Sequence, residues 1–223
     1  MKCKKFLVAA TMRRRLLDQR LNNAEFCGRV LDIGGKKTGK RGTFVPPSSC
    51  RETWEYLNVD DATNPDYCTS AECIPVEDKT FDTVVMTEVL EHLENPGQVL
   101  REAVRVVKNG GKVIATIPFL YAVHADPADY QRWTPEKIRM EFAKAGLEVM
   151  CVEPMGGVFS VIYDLLYITL GRATENAGTL KNRLLRKLIL SWFAGIFLKL
   201  DEVYSYTSTC MTTGYYIEAQ RRQ

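Results

Sequence analysis

The sequence predicts an α/β protein: a doubly wound, mostly parallel seven-stranded sheet with a helical insertion ahead of the last strand. Three observations carry that expectation. Residues 29–39, RVLDIGGKKTG, join the apolar run Val30, Leu31 and Ile33 to Asp32 and the pair Gly34-Gly35. That is the pattern of a buried parallel strand ending in a sharp turn. A second run, Tyr56, Leu57 and Val59, ends on the acid Asp60. Further apolar runs of strand length then alternate with segments of helical spacing.

The elements follow in order. A short amphipathic helix is expected to about residue 22, with Leu7, Met12, Leu16, Leu17 and Leu21 facing inward. The apolar run at 6–10 is too short for a signal peptide, and Arg13, Arg14 and Arg15 read as solvated surface. After the first strand, Gly39, Gly42, Pro46 and Pro47 oppose a helix, so the first crossover should be irregular. A short third strand is expected near 69–71, a buried fourth at 81–87 and a helical turn at 88–93. Pro96 opens a helix with Val99, Leu100, Ala103, Val104 and Val107 on one face, closed by Asn109-Gly110-Gly111, and 112–119 form the fifth strand. Thr134 and Pro135 start the next helix, which buries Ile138, Phe142 and Ala145 and ends at Gly146. The sixth and seventh strands fall at 147–152 and 215–219.

Between those strands lie two apolar helical stretches, 158–170 and 184–200, whose uninterrupted run at 188–198 is too short to span a bilayer. The chain therefore reads as one domain: an N-terminal helix (1–28), a cofactor-binding core (29–152), a helical cap (153–212) and a last strand (213–223). Lys181, Arg183, Arg186 and Lys187 lead into the apolar face of 184–200. Such a segment suits the sheet, a second copy of the chain in a homodimer, or an anionic membrane surface.

Composition narrows the function classes. Thirty basic against 27 acidic residues leave a net charge of +3, which gives no ground for a nucleic-acid partner. Seven cysteines without a C-x-x-C argue against a disulfide framework or zinc site, and no metal is expected. Reduced thiols suit a cytoplasmic protein, peripheral to a membrane if the 184–200 face docks there.

The chemistry concentrates at the strand ends. A carboxylate at Asp60 suits a vicinal diol, because two O–H donors can meet two oxygens; capping a turn is its structural alternative. Gly34 and Gly39-Lys40 fall short of a phosphate-binding P-loop, since Arg41 stands where Ser or Thr is needed. A G-x-G-x-x-G is absent.

The order RVLDIGG, LNVD, SAECIPVEDKTFDTVVMTEVLEHL, NPGQVLREAVRVVKNGGKVIATIPF resembles the class I S-adenosylmethionine-dependent methyltransferases over residues 29–152. Its most specific part, FDTVVMTEVLEHL through RVVKNGG, is similar to small-molecule methyltransferases that modify quinones and sugars. The resemblance implies a Rossmann-like sheet that binds S-adenosylmethionine and releases S-adenosylhomocysteine. It places Asp32, Gly34 and Gly35 at the methionine end, Asp60 on the ribose, Ser70 and Ala71 beside the adenine, and Thr87 and Glu88 near the donor methyl. Two departures stand out: Lys36 and Thr38 occupy positions where the family carries further glycines, and Ser70 one where it carries Asp.

After the fifth strand, H-x-D-P-x-D-Y-x-R-W-T resembles a feature of polysaccharide and glycan biosynthesis methyltransferases. The expected reaction is methyl transfer to a hydroxyl of a sugar, glycan precursor or related small molecule, with a quinone-like ring or an amine as the alternative acceptor. A catalytically inactive binding or scaffold protein is the alternative of a different class. His124 is the candidate general base, oriented by Asp126 or Asp129, with Arg132 for an acidic or phosphorylated part of the substrate. An Asp129–Arg132 structural ion pair is the competing reading. His92 reads as a packing residue, and Glu88 with Glu91 as a carboxylate pair by spacing, with a solvent-facing helix position as the equal alternative for Glu91.

Overall fold

The computed structural model describes residues 10–47, 53–125, 127–175, 180–204 and 210–222, with side chains left aside at 171–175 and 180–191. The strands are β1 (Val30–Ile33), β2 (Trp54–Asn58), β3 (Tyr67–Cys68), β4 (Phe81–Thr87), β5 (Val107–Pro118), β6 (Leu147–Pro154) and β7 (Gly214–Arg221). The helices are α1 (Met12–Asn23), α2 (Pro96–Val106), α3 (Pro135–Ala145), α4 (Val158–Glu175) and α5 (Leu180–Val203). One sheet runs β3-β2-β1-β4-β5-β7-β6, parallel except for β7, which is antiparallel to both neighbours. The reversal of strand order at β1/β4 is where such sheets open a crevice at their carboxyl edge.

Each face of the sheet has its own cover. Leu31, Ile33, Val84 and Met86 share a core with Val99, Leu100 and Ala103 of α2 and Ile138 and Phe142 of α3. On the opposite face Leu17 and Leu21 of α1 pack on Ile114 and Tyr216. Most expected elements are present, with three corrections and one expectation that falls outside the described residues. The first helix is described from Met12, so Leu7 lies outside the described residues. Val59 is 71% exposed and lies beyond β2, because the chain has already left the sheet to form the 3-10 turn Asp61–Thr63. β3 is two residues long and precedes the expected 69–71. α2 ends at Val106 rather than at the glycines, because Val107 already pairs with Phe81 and the register shifts between that pair and Thr83 with Lys112.

The first crossover is irregular over the described residues 34–47, as the prolines require. Among the described residues, the two helices of the insertion pack on α1 rather than directly on the sheet. Tyr163 of α4 and Ala194 of α5 pack around Met12, so the α4–α5 pair forms a further layer on α1.

Two carboxylates lock that layer. Asp164 of α4 accepts from the Met12 and Arg13 N–H groups at the start of α1. Asp201 of α5 accepts from the N–H groups of Gly157 (2.9 Å), Phe159 (2.9 Å) and Ser160 (3.0 Å), satisfying orphan donors at the start of α4. Removing it leaves those donors without their carboxylate, at the helix end that favours negative charge. Asp201→Ala is expected to lower stability by about 2–3 kcal/mol. For a domain of this size that is a fall of roughly 4–12 °C in Tm. An unchanged melting curve would show that the cap is dispensable.

Candidate active site

The carboxyl ends of β1, β2 and β4 border a cavity of about 930 Å³. Its floor is the Gly34-Gly35 turn. Gly34 has φ +78°, and a Cβ there would meet Val89 Cγ2 at 2.5 Å; a Cβ on Gly35 would fall 2.4 Å from the Asp32 carboxyl carbon. These glycines are therefore required by what lies beside them, the second by Asp32 itself. Asn58, at the end of β2, donates through Nδ2 to the Gly34 and Gly35 carbonyls at 3.1 and 3.0 Å and accepts from Asp60 N–H at 2.9 Å. It thus fixes the turn and Asp60 relative to each other.

Asp32 accepts from Trp54 Nε1 at 3.3 Å through Oδ2, while Oδ1 is buried without a partner among the described residues. Burial pushes its carboxyl up to about 7, against the pull of the Trp54 N–H, Lys40 and Arg14. Asp60 accepts from Ala62 N–H at 3.1 Å, so it does cap the following turn, and it also lines the cavity with Ser70 and Ala71. Ser70 Oγ accepts from Glu72 N–H at 3.2 Å. Lys37 is drawn away to Asp66 at 2.5 Å, and Lys40 donates to Tyr56 Oη at 2.8 Å.

Glu88 follows β4 with φ +58°, an uncommon conformation for a side-chain-bearing residue and one that collects at functional sites. Thr116 of β5 holds it there: Thr116 Oγ1 donates to Glu88 Oε1 at 3.1 Å, and Glu88 N–H donates back at 3.2 Å. The other carboxylate oxygen pairs with Arg13, whose guanidinium also lies 3.8 Å from the Tyr121 ring centre. The arginine read as solvated surface is thus 12% exposed in its side chain and roofs the cavity. Its signal lay in no motif, because α4 sets its position through Asp164.

The loop after β5 clasps the turn after β4. Gln131 Nε2 donates to the Leu90 and Leu93 carbonyls at 2.9 and 3.0 Å, and Tyr130 N–H to the Glu91 carbonyl at 2.8 Å. This brings His92 and His124 together, rings edge to face with centres 5.1 Å apart. Asp129 accepts from His124 N–H at 2.9 Å and lies 3.3 Å from its Nδ1. Arg132 forms a two-point pair with Asp129, including Nη2 to Oδ2 at 2.7 Å, which holds the Asp129 carboxyl well below the usual range. The guanidinium is therefore spent on the loop rather than offered to an anion. Asp126 lies outside the described residues. Burial, then Arg13, lowers the His124 imidazole. Glu91 does not take the solvent-facing position that its spacing allows: its side chain is fully buried beneath both histidines, where the 90–92 turn folds it inward. Asp32, Asp60, His92, Tyr121 and His124 all line this one cavity.

Comparison with known proteins bears on this arrangement. Residues 50–115 match a family model described as a methyltransferase domain. The structure of the [4+2]-cyclase SpnF superposes with a TM-score of 0.59 at 17% identity, covering 92% of this chain and 80% of that one. A structure described as a possible sarcosine dimethylglycine methyltransferase from Galdieria sulphuraria gives 0.56 at 14%, covering 92% and 85%. The fold is that of the class I methyltransferases. Among curated relatives, the ubiquinone biosynthesis O-methyltransferase of Neisseria meningitidis is 30% identical over 129 residues, 51% of this chain and 52% of that protein. The chain spans about half, or less, of the length of the curated relatives it matches.

S-adenosylmethionine is the cofactor of this methyltransferase fold, and the residues fit it. The buried, unpartnered Oδ1 of Asp32 calls for a donor, which an α-ammonium supplies. The Gly34-Gly35 turn leaves backbone open to close approach, and the second oxygen of Asp60 makes no hydrogen bond among the described residues. When bound, the cofactor supplies an electrophilic methyl group on a sulfonium.

Proposed function

We propose that this protein transfers the methyl group of S-adenosylmethionine to a hydroxyl of a small, uncharged ring compound. The observation that carries the reading is the single cavity joining Asp32 and Asp60 to the paired imidazoles of His92 and His124. A methyl displacement needs donor and acceptor held in line, and a hydroxyl acceptor must also lose its proton. His124 and Asp129 are arranged for that second task. Arg13 and Arg132, which flank the histidines, are committed to Glu88 and Asp129, which favours a neutral acceptor over a phosphorylated one. A phenolic or quinol-type ring is further supported by the relative named for ubiquinone O-methylation. A neutral sugar hydroxyl is the second reading, supported by the resemblance of the 124–134 loop to glycan-modifying enzymes. Fold alone does not give the chemistry, as a cyclase of the same fold illustrates.

The test is calorimetric titration with S-adenosylmethionine and S-adenosylhomocysteine, followed by a methyl-transfer assay over a panel of phenols, quinols and free sugars. Micromolar binding is expected, weakened more than tenfold by Asp60→Ala, with turnover on one hydroxyl class. A folded chain that binds neither compound would instead be a scaffold on a methyltransferase fold.

We also infer that the α4–α5 layer rests on an anionic bilayer. Leu165, Leu166, Trp192 and Phe193 are exposed, Trp192 to 69%, and the sequence carries Lys181, Arg183, Arg186 and Lys187 ahead of Trp192 in the same helix. An aromatic and aliphatic face beside basic residues suits the headgroup boundary. Among the described residues, no helix is long and apolar enough to cross a membrane. Trp54 and Trp133 are buried, so a blue shift of tryptophan emission on adding anionic vesicles reports on Trp192. No shift and no co-sedimentation would sink this reading.

A further inference from the structure

Glu91, His92 and His124 present an arrangement that methyl transfer alone does not explain. Their ligand atoms, a Glu91 carboxylate oxygen and one nitrogen of each imidazole, all lie within 4.8 Å of one another. Glu91 Oε1 is 3.7 Å from His92 Nε2 and 3.9 Å from His124 Nε2. Both oxygens of this fully buried carboxylate lack a hydrogen-bond partner among the described residues.

The tautomers sharpen the problem. His92 Nδ1 lies 2.5 Å from the Ala128 carbonyl, so it carries the proton and donates. His124 Nδ1 faces two acceptors, the Ala122 carbonyl and Asp129 Oδ2, each at 3.3 Å, so it too carries the proton. In the neutral rings both Nε2 atoms then turn bare lone pairs toward the Glu91 carboxyl. Whenever that carboxyl is ionised, three acceptors converge with no donor between them, inside protein, where such an arrangement is most costly. A shared proton does not resolve it, because 3.7 and 3.9 Å are beyond hydrogen-bond range. An ion with bonds of about 2.1 Å fits between them after an inward shift of under about 1 Å.

The geometry points to a divalent transition-metal site formed by Glu91, His92 and His124. The donor set is two imidazoles and one carboxylate, which suits manganese, iron, cobalt or zinc better than magnesium. Outer partners are in place: Ala128 and Asp129 orient the two rings through Nδ1, as the outer partners of metal-bound histidines do. The site opens on the cavity through His92 and His124, leaving positions on the ion for an oxygen ligand. Its use there, as the Lewis acid that holds an acceptor hydroxyl, rests on the methyl-transfer reading; the ion site itself does not.

The test uses the full chain, stripped with EDTA and titrated with Mn2+ while the free ion is followed by electron paramagnetic resonance. Co2+ is the second probe, read by its visible absorption. One ion per chain in the micromolar range is expected, weakened at least about 30-fold by Glu91→Gln and by His124→Ala. S-adenosylhomocysteine affinity should change less than about threefold in both variants. If Glu91→Gln fails to fold, His124→Ala, at a partly exposed loop position, carries the test. Millimolar or absent ion binding by a folded chain that still binds S-adenosylhomocysteine overturns the site. So does binding undiminished in both variants. A chain that binds the ion at these residues but not S-adenosylhomocysteine keeps the metal site and removes the methyl-transfer reading.

Discussion

Asp32→Ala is expected to weaken binding of S-adenosylmethionine and S-adenosylhomocysteine roughly 30- to 150-fold, the largest effect of any single change in the cofactor half of the cavity. The wild-type Oδ1 is buried with no partner among the described residues, so a ligand ammonium meets an acceptor that has already lost its water. A charge-assisted bond to such a group contributes about 2–3 kcal/mol, which corresponds to roughly 30- to 150-fold in Kd. Burial holds the Asp32 carboxyl up at about 7, with Lys40, Arg14 and the Trp54 N–H opposing it. The ammonium selects the ionised form, so affinity for S-adenosylhomocysteine should rise with pH from 5 to 7, approaching tenfold per unit at the acid end. Stability runs the other way. A carboxyl with a folded value of about 7 against an ordinary 3.8 binds more protons folded than unfolded between those values. Stability is therefore lost as pH rises through that window. Asp32→Asn should raise stability above pH 7, on the order of 2–4 kcal/mol, and leave it unchanged below pH 4. Calorimetry and thermal melts across pH check both halves. A pH-independent affinity would mean that Asp32 does not meet the ammonium.

The backbone of this site was legible in the sequence because it depends on local patterns. Val30, Leu31 and Ile33 are buried, and Gly34 adopts the positive φ that its turn position suggested. Asp60 shows both readings at once, since it caps the 61–63 turn and lines the cavity. What the sequence concealed are contacts between distant segments. Asn58 bonds to the glycine turn more than 20 residues away, and Arg13 reaches Glu88 only because Asp164 holds the start of α1. Arginines in a row look like solvated surface until a second helix buries one of them. The Glu91, His92 and His124 group escaped for a related reason. Glu91 and His92 are adjacent, but both face His124 only after Gln131 and Tyr130 have bound the later loop to the 90–92 turn. Metal motifs with short spacing can be read from sequence; one closed by a loop crossing cannot. The antiparallel β7 between β5 and β6 was likewise invisible, because hydrophobic pattern reports burial and not strand direction.

His124→Ala is expected to lower turnover about 10²- to 10⁴-fold while leaving S-adenosylhomocysteine affinity within about threefold of the wild type. The split follows from the position of the ring. It lines the cavity but touches neither Asp32 nor Asp60 by any hydrogen bond among the described residues, and it stands between Tyr121 and His92, at ring-centre distances of 5.5 and 5.1 Å. Its Nδ1 side is turned to Asp129 and the Ala122 carbonyl, which leaves Nε2 as its working atom. A base and a metal ligand would both act through that atom, so the variant alone does not tell them apart. Chelation does. If His124 takes the acceptor's proton directly, EDTA leaves wild-type turnover intact. If Nε2 binds an ion that holds the acceptor oxygen, EDTA reduces turnover to the level of His124→Ala, and added Mn2+ restores the wild type but not the variant. Asp129→Asn should lower kcat about tenfold with little change in KM, because Asp129 orients the ring and touches no reactant. Should His124→Ala retain full turnover on the acceptor found by screening, the ring would be a packing residue of the loop and the acceptor's proton would leave by another route.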